Sequence, residues 1–157
     1  MPLFSQIMNL YKLTLKKHKI MILEIDNEKK LSQLNNIFNT KYPFLKLEFY
    51  DQPHAWQEES SSKHILNKTM TVGEANPLNL NSGIIEIHFW QKTGLIEKIF
   101  KNKFGLFVQI FRQHGDKWVQ SVGTDELTLE QQNEAGSAAT REFIHDNLNR
   151  IEVEKSY

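Results

Sequence analysis

Apolar and polar residues follow two alternating periods in the first third of the chain. Apolar side chains alternate with polar ones over residues 20–26, which indicates a strand with one buried face. They then recur every three or four positions over residues 31–42, as on one face of a helix, until Pro43 prevents continuation. Alternation returns over residues 44–50. These patterns predict a strand, a helix and a second strand.

The same pattern returns 62 residues later. Residues 84–103 are identical to residues 22–41 at seven of twenty positions. In the first copy these are Ile22, Glu24, Ile25, Lys30, Ile37, Phe38 and Lys41. After a slip of one residue, Leu45, Leu47 and Phe49 align with Leu106, Val108 and Ile110. Because neither segment is of low complexity, the match indicates an ancestral duplication.

Local signals extend each unit. Short connections within a strand-helix-strand unit imply a right-handed crossover between parallel strands. Helix caps are expected at Asp26 or Asn27 and at Thr93, and Gly105 is expected to end the second helix. Further strands are expected at Leu13 and Leu15, at Leu78 and Leu80, and in a hairpin of residues 108–112 and 118–122 around Gly115 and Asp116. Two capping boxes, Thr71 with Glu74 and Thr128 with Gln131, predict helix starts.

Together these elements predict an α+β protein. We expect two tandem β-grasp-like (ubiquitin-like) halves, residues 1–77 and 78–157, packed as one unit and completed by a C-terminal helix. The alternative is a single ferredoxin-like sheet made from the two strand-helix-strand units, because their symmetry also suits that fold.

Three segments carry a resemblance to known sequences. Residues 104–118 read FGLFVQIFRQHGDKW, residues 124–133 read TDELTLEQQN, and residues 43–49 read PFLKLEF. They resemble a group of small bacterial proteins of unknown function, and the resemblance spans residues 20–136. It implies a bacterial origin and a cytoplasmic location, and it brings no activity, cofactor or catalytic residue.

The two halves differ on the second face of the last strand of each unit. Lys46 and Glu48 suggest a face in contact with water, whereas the second unit has Phe107 and Phe111 on the corresponding side. Burying an aromatic side chain contributes about 1.5–3 kcal/mol. We therefore expect these two phenylalanines to be covered.

Two covers are possible. The first is an internal lid, a C-terminal helix with the apolar residues Ala139, Phe143, Ile144, Leu148 and Ile151, separated from residues 129–135 by a break at Gly136 and Ser137. The second is another protein, either an unidentified partner or a second copy of the chain. In that case Phe107, Phe111, Trp90 and Trp118 would form the interaction surface.

Composition narrows the function classes. The chain has 157 residues, no cysteine and a formal net charge of zero, so thiol chemistry is excluded. No signal peptide or membrane span is visible, which favours a cytoplasmic protein. The basic residues concentrate in 1–50 and 84–122 and the acidic ones in 123–157. We interpret this as complementarity within the chain. A weaker alternative is nucleic-acid contact through a basic surface of Lys98, Lys101, Lys103, Lys12, Lys16 and Lys17.

No catalytic motif or cofactor site is recognisable. The candidates for a metal or catalytic loop lie in a serine-rich segment within residues 51–70 and are His54, Glu58, Glu59 and His64. The glycines are scattered and form no phosphate-binding loop. The sequence therefore predicts a non-catalytic protein-interaction module without cofactor or metal. The alternative is a small enzyme or metal-binding protein that uses the 51–70 loop.

Overall fold

The computed structural model describes residues 3, 5–7, 9–10, 20–53, 61–77 and 81–155. Among these residues the strands are β1 (Ile20–Ile25), β2 (Leu45–Tyr50), β3 (Gly83–His88), β4 (Phe107–His114) and β5 (Lys117–Gln120). The helices with defined bounds are α1 (Leu31–Lys41), α2 (Val72–Ala75), α3 (Thr93–Phe104) and α4 (Leu129–Glu154), and a 3₁₀ turn spans Ser62–His64. The described residues between 3 and 10 are helical as well. The protein is thus α+β with a C-terminal helix, as predicted.

The strands form two small antiparallel sheets. β1 pairs with β3 in one sheet, and the other has the order β2-β4-β5. Among the described strands no parallel pair occurs, so the two strands expected to be parallel within each unit do not pair with each other. The single ferredoxin-like sheet is not formed either. The physical reason is that β1 and β2 of the first unit find their antiparallel partners, β3 and β4, in the second unit.

The register of these pairs follows the sequence repeat. At the centre of the first sheet Leu23 lies opposite Ile85, the residue 62 positions later. In the second sheet Glu48 lies opposite Gln109, the residue 61 positions later. When a strand pairs antiparallel with the corresponding strand of the repeat, a local two-fold axis passes between the two strands. Both sheets contain such a pair, so the two units are related by approximate two-fold symmetry.

Hydrogen bonds outside the strands repeat in the same way. The segment after the last strand of each unit bonds back to the start of the unit's helix. In the first unit Leu31 N donates to Met70 O, Ser32 N to Lys68 O, Val72 N to Lys29 O and Gly73 N to Asn27 O. In the second, Thr93 N donates to Leu127 O, Gly94 N to Asp125 O, Leu129 N to Gln91 O and Glu130 N to Phe89 O. Four backbone bonds thus occur at corresponding residues.

Both units share one hydrophobic core. The sheets contribute Leu23, Ile25, Leu45, Leu47, Ile85, Ile87, Val108 and Ile110, and the helices contribute Leu34, Phe38, Ile96 and Phe100. Each of these side chains is at most 2% exposed. No helix among the described residues has the length and apolar content needed to cross a membrane.

The helix ends partly agree with prediction. Both capping boxes are present: Thr71 with Glu74 at α2, and Thr128 with Gln131 at α4. Gly105 ends α3 in a left-handed conformation with φ 63°. The predicted N-caps are wrong by one to four residues, because Lys30 and Lys92 take that position. The strands expected at Leu13, Leu15, Leu78 and Leu80 lie outside the described residues.

Helix α4 is continuous, so the predicted break at Gly136 is wrong. A β-carbon at this position would lie 2.8 Å from Phe44 Cβ, 3.1 Å from Arg112 Cγ and 3.2 Å from Gln113 O. The glycine therefore permits close packing of α4 on the sheet instead of ending the helix.

We expect Gly136→Ala to destabilise the protein by about 1–2 kcal/mol in chemical denaturation. Alanine favours a helix by up to about 1 kcal/mol over glycine, but overpacking against the rigid Phe44 β-carbon typically costs about 1–3 kcal/mol. Glu134→Ala, an exposed position on the same helix, is the control and should be near neutral. A stabilised Gly136→Ala variant would contradict the close packing.

Candidate functional site

One face of the β2-β4-β5 sheet carries three of the four residues predicted to form an interaction surface. Side chains alternate along a strand, so residues of opposite parity to the core residues point to the other side, which we call the outer face. It carries Lys46, Glu48 and Tyr50 from β2, Phe107, Gln109 and Phe111 from β4, and Trp118 from β5. The register brings Lys46 opposite Phe111 and Tyr50 opposite Phe107.

Glu48 is buried on this face, although the sequence suggested a water-facing side chain. It is 5% exposed. Its Oε1 lies 2.7 Å from Lys46 Nζ and 3.1 Å from Lys68 Nζ. A buried carboxylate needs such partners, because an unpaired charge would not leave water. Lys68, which lies between the 3₁₀ turn and α2, supplies a contact that alternation along β2 does not reveal.

A second carboxylate reaches the same face from helix α3. Glu97 is 8% exposed, and its Oε1 accepts hydrogen bonds of 2.9 Å from Gln109 Nε2 and from Ile110 N. The N–H group of Ile110 points away from β2 and donates to no neighbouring strand. Glu97 therefore accepts the hydrogen bond of a β4 backbone donor that the sheet leaves unpaired. The corresponding residue in the first unit is Asn35, whose Oδ1 accepts a 2.8 Å bond from Leu47 N.

Tyr50 lies beside both carboxylates. Its side chain is 2% exposed, and its hydroxyl has no hydrogen-bond partner among the described residues. Burial, followed by the negative charges of Glu48 and Glu97, raises the pKa of Tyr50 from 10.0 to about 12. The phenol is therefore neutral at physiological pH and is not positioned as a base.

Aromatic residues surround this polar cluster. Phe111 and Trp118 are covered by the Lys46 ammonium, which lies 5.2 Å and 5.0 Å from their ring centroids. Phe111 and Phe107 are half-buried, and Trp118 is 36% exposed. Trp90 is 57% exposed and follows β3 of the other sheet, where its ring packs on His88. The structure thus brings together Phe107, Phe111 and Trp118, and Trp90 belongs to the other sheet.

A small cavity opens next to Phe107. Its volume is about 140 Å³, and its lining comprises Pro53, Gly94, Glu97, Lys98, Lys101, Phe107 and Val108. An apolar cavity of about 150 Å³ can hold a benzene-sized molecule. Here one wall is aromatic, the two lysines supply positive charge, and Glu97 is already engaged by Gln109 and Ile110 N.

The predicted lid does not cover this face. Arg112 lies on the core side of β4, and its Nη1 donates to Gln132 Oε1 of α4. Helix α4 therefore packs on the side of the sheet opposite Phe107 and Phe111. The proposed lid residues Phe143, Ile144, Leu148 and Ile151 are 37–57% exposed. The prediction failed because α4 is continuous and follows the core face of the sheet. Only a helix broken at Gly136 could have turned back over the outer face.

The other candidate residues are more dispersed. His64 Nδ1 lies 2.9 Å from Asp51 Oδ1, while His54 and Glu58 lie outside the described residues. Within the described ranges, no three His, Asp or Glu side chains are grouped as a metal site would require. Lys98, Lys101 and Lys103 are exposed on α3, and Lys103 Nζ donates to Ile84 O.

Comparison with protein-family models, with curated proteins and with solved structures gives no match to this chain. The candidate site therefore depends on its geometry alone. Sequence analysis missed Tyr50, Lys68 and Glu97 as members of the cluster. The repeat offered one signal: Glu97 aligns with Asn35, and a carboxylate in place of an amide on a half-buried helix face marks a position where the units differ.

We expect stability to fall as the pH rises from about 10 to about 12. In this range the unfolded phenol ionises and the folded Tyr50, with its raised pKa, does not. The unfolded state then binds fewer protons, so alkaline pH favours unfolding, and below pH 10 this effect is absent. For the wild-type chain this lowers the free energy of unfolding by on the order of 2 kcal/mol over that range, and the Tyr50→Phe variant should lack this decrease. Urea titrations at several pH values measure it.

Tyr42→Phe provides the matched comparison, because burial and the nearby Glu130 also raise the pKa of Tyr42 to about 12. Each variant should remove one late-ionising phenol from the ultraviolet absorbance titration, and the double variant should remove two. An unchanged titration curve for Tyr50→Phe would contradict the buried phenol.

We expect Glu97→Ala to cost about 2–4 kcal/mol, because Gln109 Nε2 and Ile110 N would both lose their acceptor in a buried setting. Glu97→Gln keeps an oxygen acceptor and should cost under about 1 kcal/mol. Asn35→Ala, which removes one bond to Leu47 N, should lie between them. Equal effects of the Ala and Gln variants, measured by denaturation, would show that the acceptor role is unimportant.

Proposed function

We propose that the protein is a non-catalytic protein-interaction module that binds through the second half of α4. Its docking surface consists of Ile144, Leu148 and Ile151, which we call the α4 stripe. Their spacings of four and three residues place them on one helical face. They are 51%, 57% and 48% exposed.

The position of the stripe on α4 supports this proposal. The helix has 26 residues, and its buried residues Leu129, Gln132 and Gly136 all lie in the first half. Phe143 lies against Gly115, and the residues after it are exposed except for the half-buried Asn147. Clustered large apolar side chains on an exposed surface are typical of interaction sites.

Comparison of the two units also supports the proposal. The counterpart of α4 in the first unit is α2, which starts with the same type of capping box and has four residues. One helical turn is therefore enough to complete that unit. The last turns of α4 are not needed for the shared core, which leaves them available for another purpose.

The outer face remains the second candidate surface. Phe107, Phe111 and Trp118 are partly covered by the chain itself, so they offer less apolar area than the α4 stripe. The tandem β-grasp-like description of the two units also stays a prediction, supported by the repeated hydrogen bonds. The resemblance to small bacterial proteins and the cytoplasmic location stay predictions as well.

A photo-crosslinking amino acid at Leu148, introduced in cells of the native host, should form adducts with a bound protein. The same amino acid at Glu142 is the control, because Glu142 is exposed on the opposite side of α4. We expect at least a tenfold higher yield of a discrete adduct from position 148. Equal yields from the two positions would mean that the α4 stripe is not a docking surface.

A further inference from the structure

A second apolar stripe occurs near the N-terminus. The described residues there are helical, and Leu3, Ile7 and Leu10 are 71%, 54% and 63% exposed. Their spacings of four and three residues are the same as in the α4 stripe. We call these three residues the N-terminal stripe. In this structure both stripes are exposed on the same chain, so neither covers the other.

The two segments of sequence that contain the stripes have opposite net charges. Residues 1–23 contain four lysines and no acidic residue. Helix α4 contains six acidic residues and two arginines. Opposite net charges on two segments of chain promote their association.

We propose that the occupant of the α4 stripe is the N-terminal stripe of a second copy of this chain. This inference rests on the proposed docking function of α4. In a two-fold symmetric dimer each copy gives its N-terminal stripe and receives that of its partner, so two identical contacts form.

The amount of apolar surface favours this reciprocal arrangement over pairing of α4 with itself. A stable interface buries about 800 Å² on each partner. Contact between two α4 stripes buries three half-exposed side chains per copy and leaves both N-terminal stripes in water. The reciprocal contact buries six per copy, twice the number, and brings the basic and acidic segments together.

The test is the mass of the purified full-length chain by light scattering after gel filtration. We expect twice the 18.5 kDa of one chain. Leu148→Glu and Ile7→Glu should each halve that mass, because a charge would be buried in the contact. Val153→Glu and Asn9→Glu are the controls: both positions are exposed and face away from their stripes. They should leave the dimer intact.

Mixing the two disruptive variants gives a further check. A mixed pair retains one intact contact, so part of the dimer should return when Leu148→Glu and Ile7→Glu chains are combined. Circular dichroism should show all variants folded, because the substituted side chains lie outside the core.

A dimer that survives Ile7→Glu would show that the N-terminal stripe does not occupy the α4 stripe. A protein that stays monomeric at all concentrations would show that the occupant is not a second copy of this chain. If that monomer still crosslinks from position 148 to another protein, the interaction module stands and only the inferred partner fails. If no crosslink forms either, both proposals fail.

Discussion

The pairing of each central strand with its counterpart in the repeat is the constraint on which the fold depends. Leu23 opposite Ile85 and Glu48 opposite Gln109 place both sheets on one approximate two-fold arrangement. Neither unit can complete a sheet alone, since β1 and β2 find their partners in the other half. An isolated strand or a two-stranded hairpin is at best marginally stable in water. The single core is therefore a direct consequence of the pairing.

The symmetry is broken where the polar cluster lies. At corresponding positions the first unit has Asn35, Glu48 and Tyr50, and the second has Glu97, Gln109 and Phe111. Each carboxylate thus corresponds to an amide in the other unit, so that two acidic groups share one face without lying at equivalent sites. Lys46 and Lys68 neutralise Glu48, and neutral donors satisfy Glu97. The cluster combines charge burial with a specific hydrogen-bond pattern, which favours one register of β2 on β4.

Sequence periodicity predicts the elements of this fold well and their pairing poorly. The alternation in residues 20–26 and the helical period in residues 31–42 depend on local burial, so the structure contains β1 and α1 in those places. Capping boxes are also local, and both were predicted. Which strand lies beside β1 depends on long-range contacts that period-two alternation does not encode, and the assumption of crossover within one unit gave the wrong answer.

The site was harder to predict for the same reason. Phe107 and Phe111 were found from a strand that is apolar on both faces, and they do lie on one face together with Trp118. Burial of Glu48 requires Lys68, which comes from a segment twenty residues away. Gly136 is a further example. A glycine in the sequence suggests a break, whereas the structure shows that a β-carbon here would lie only 2.8 Å from Phe44 Cβ. Contacts between distant segments decide each of these cases.

Continuity with the core explains how α4 can present an exposed stripe as a rigid surface. A short helix in water is marginal, because its first turn must form before any hydrogen bond compensates. In α4 the first turn is stabilised by the Thr128–Gln131 capping box and by the hydrogen bond that Arg112 donates to Gln132. The turns that carry the α4 stripe then need only propagation, which costs little per residue. A partner would therefore meet a preformed helix and lose little affinity to ordering it. Separation of these turns from the core by a true break at Gly136 would have removed that advantage.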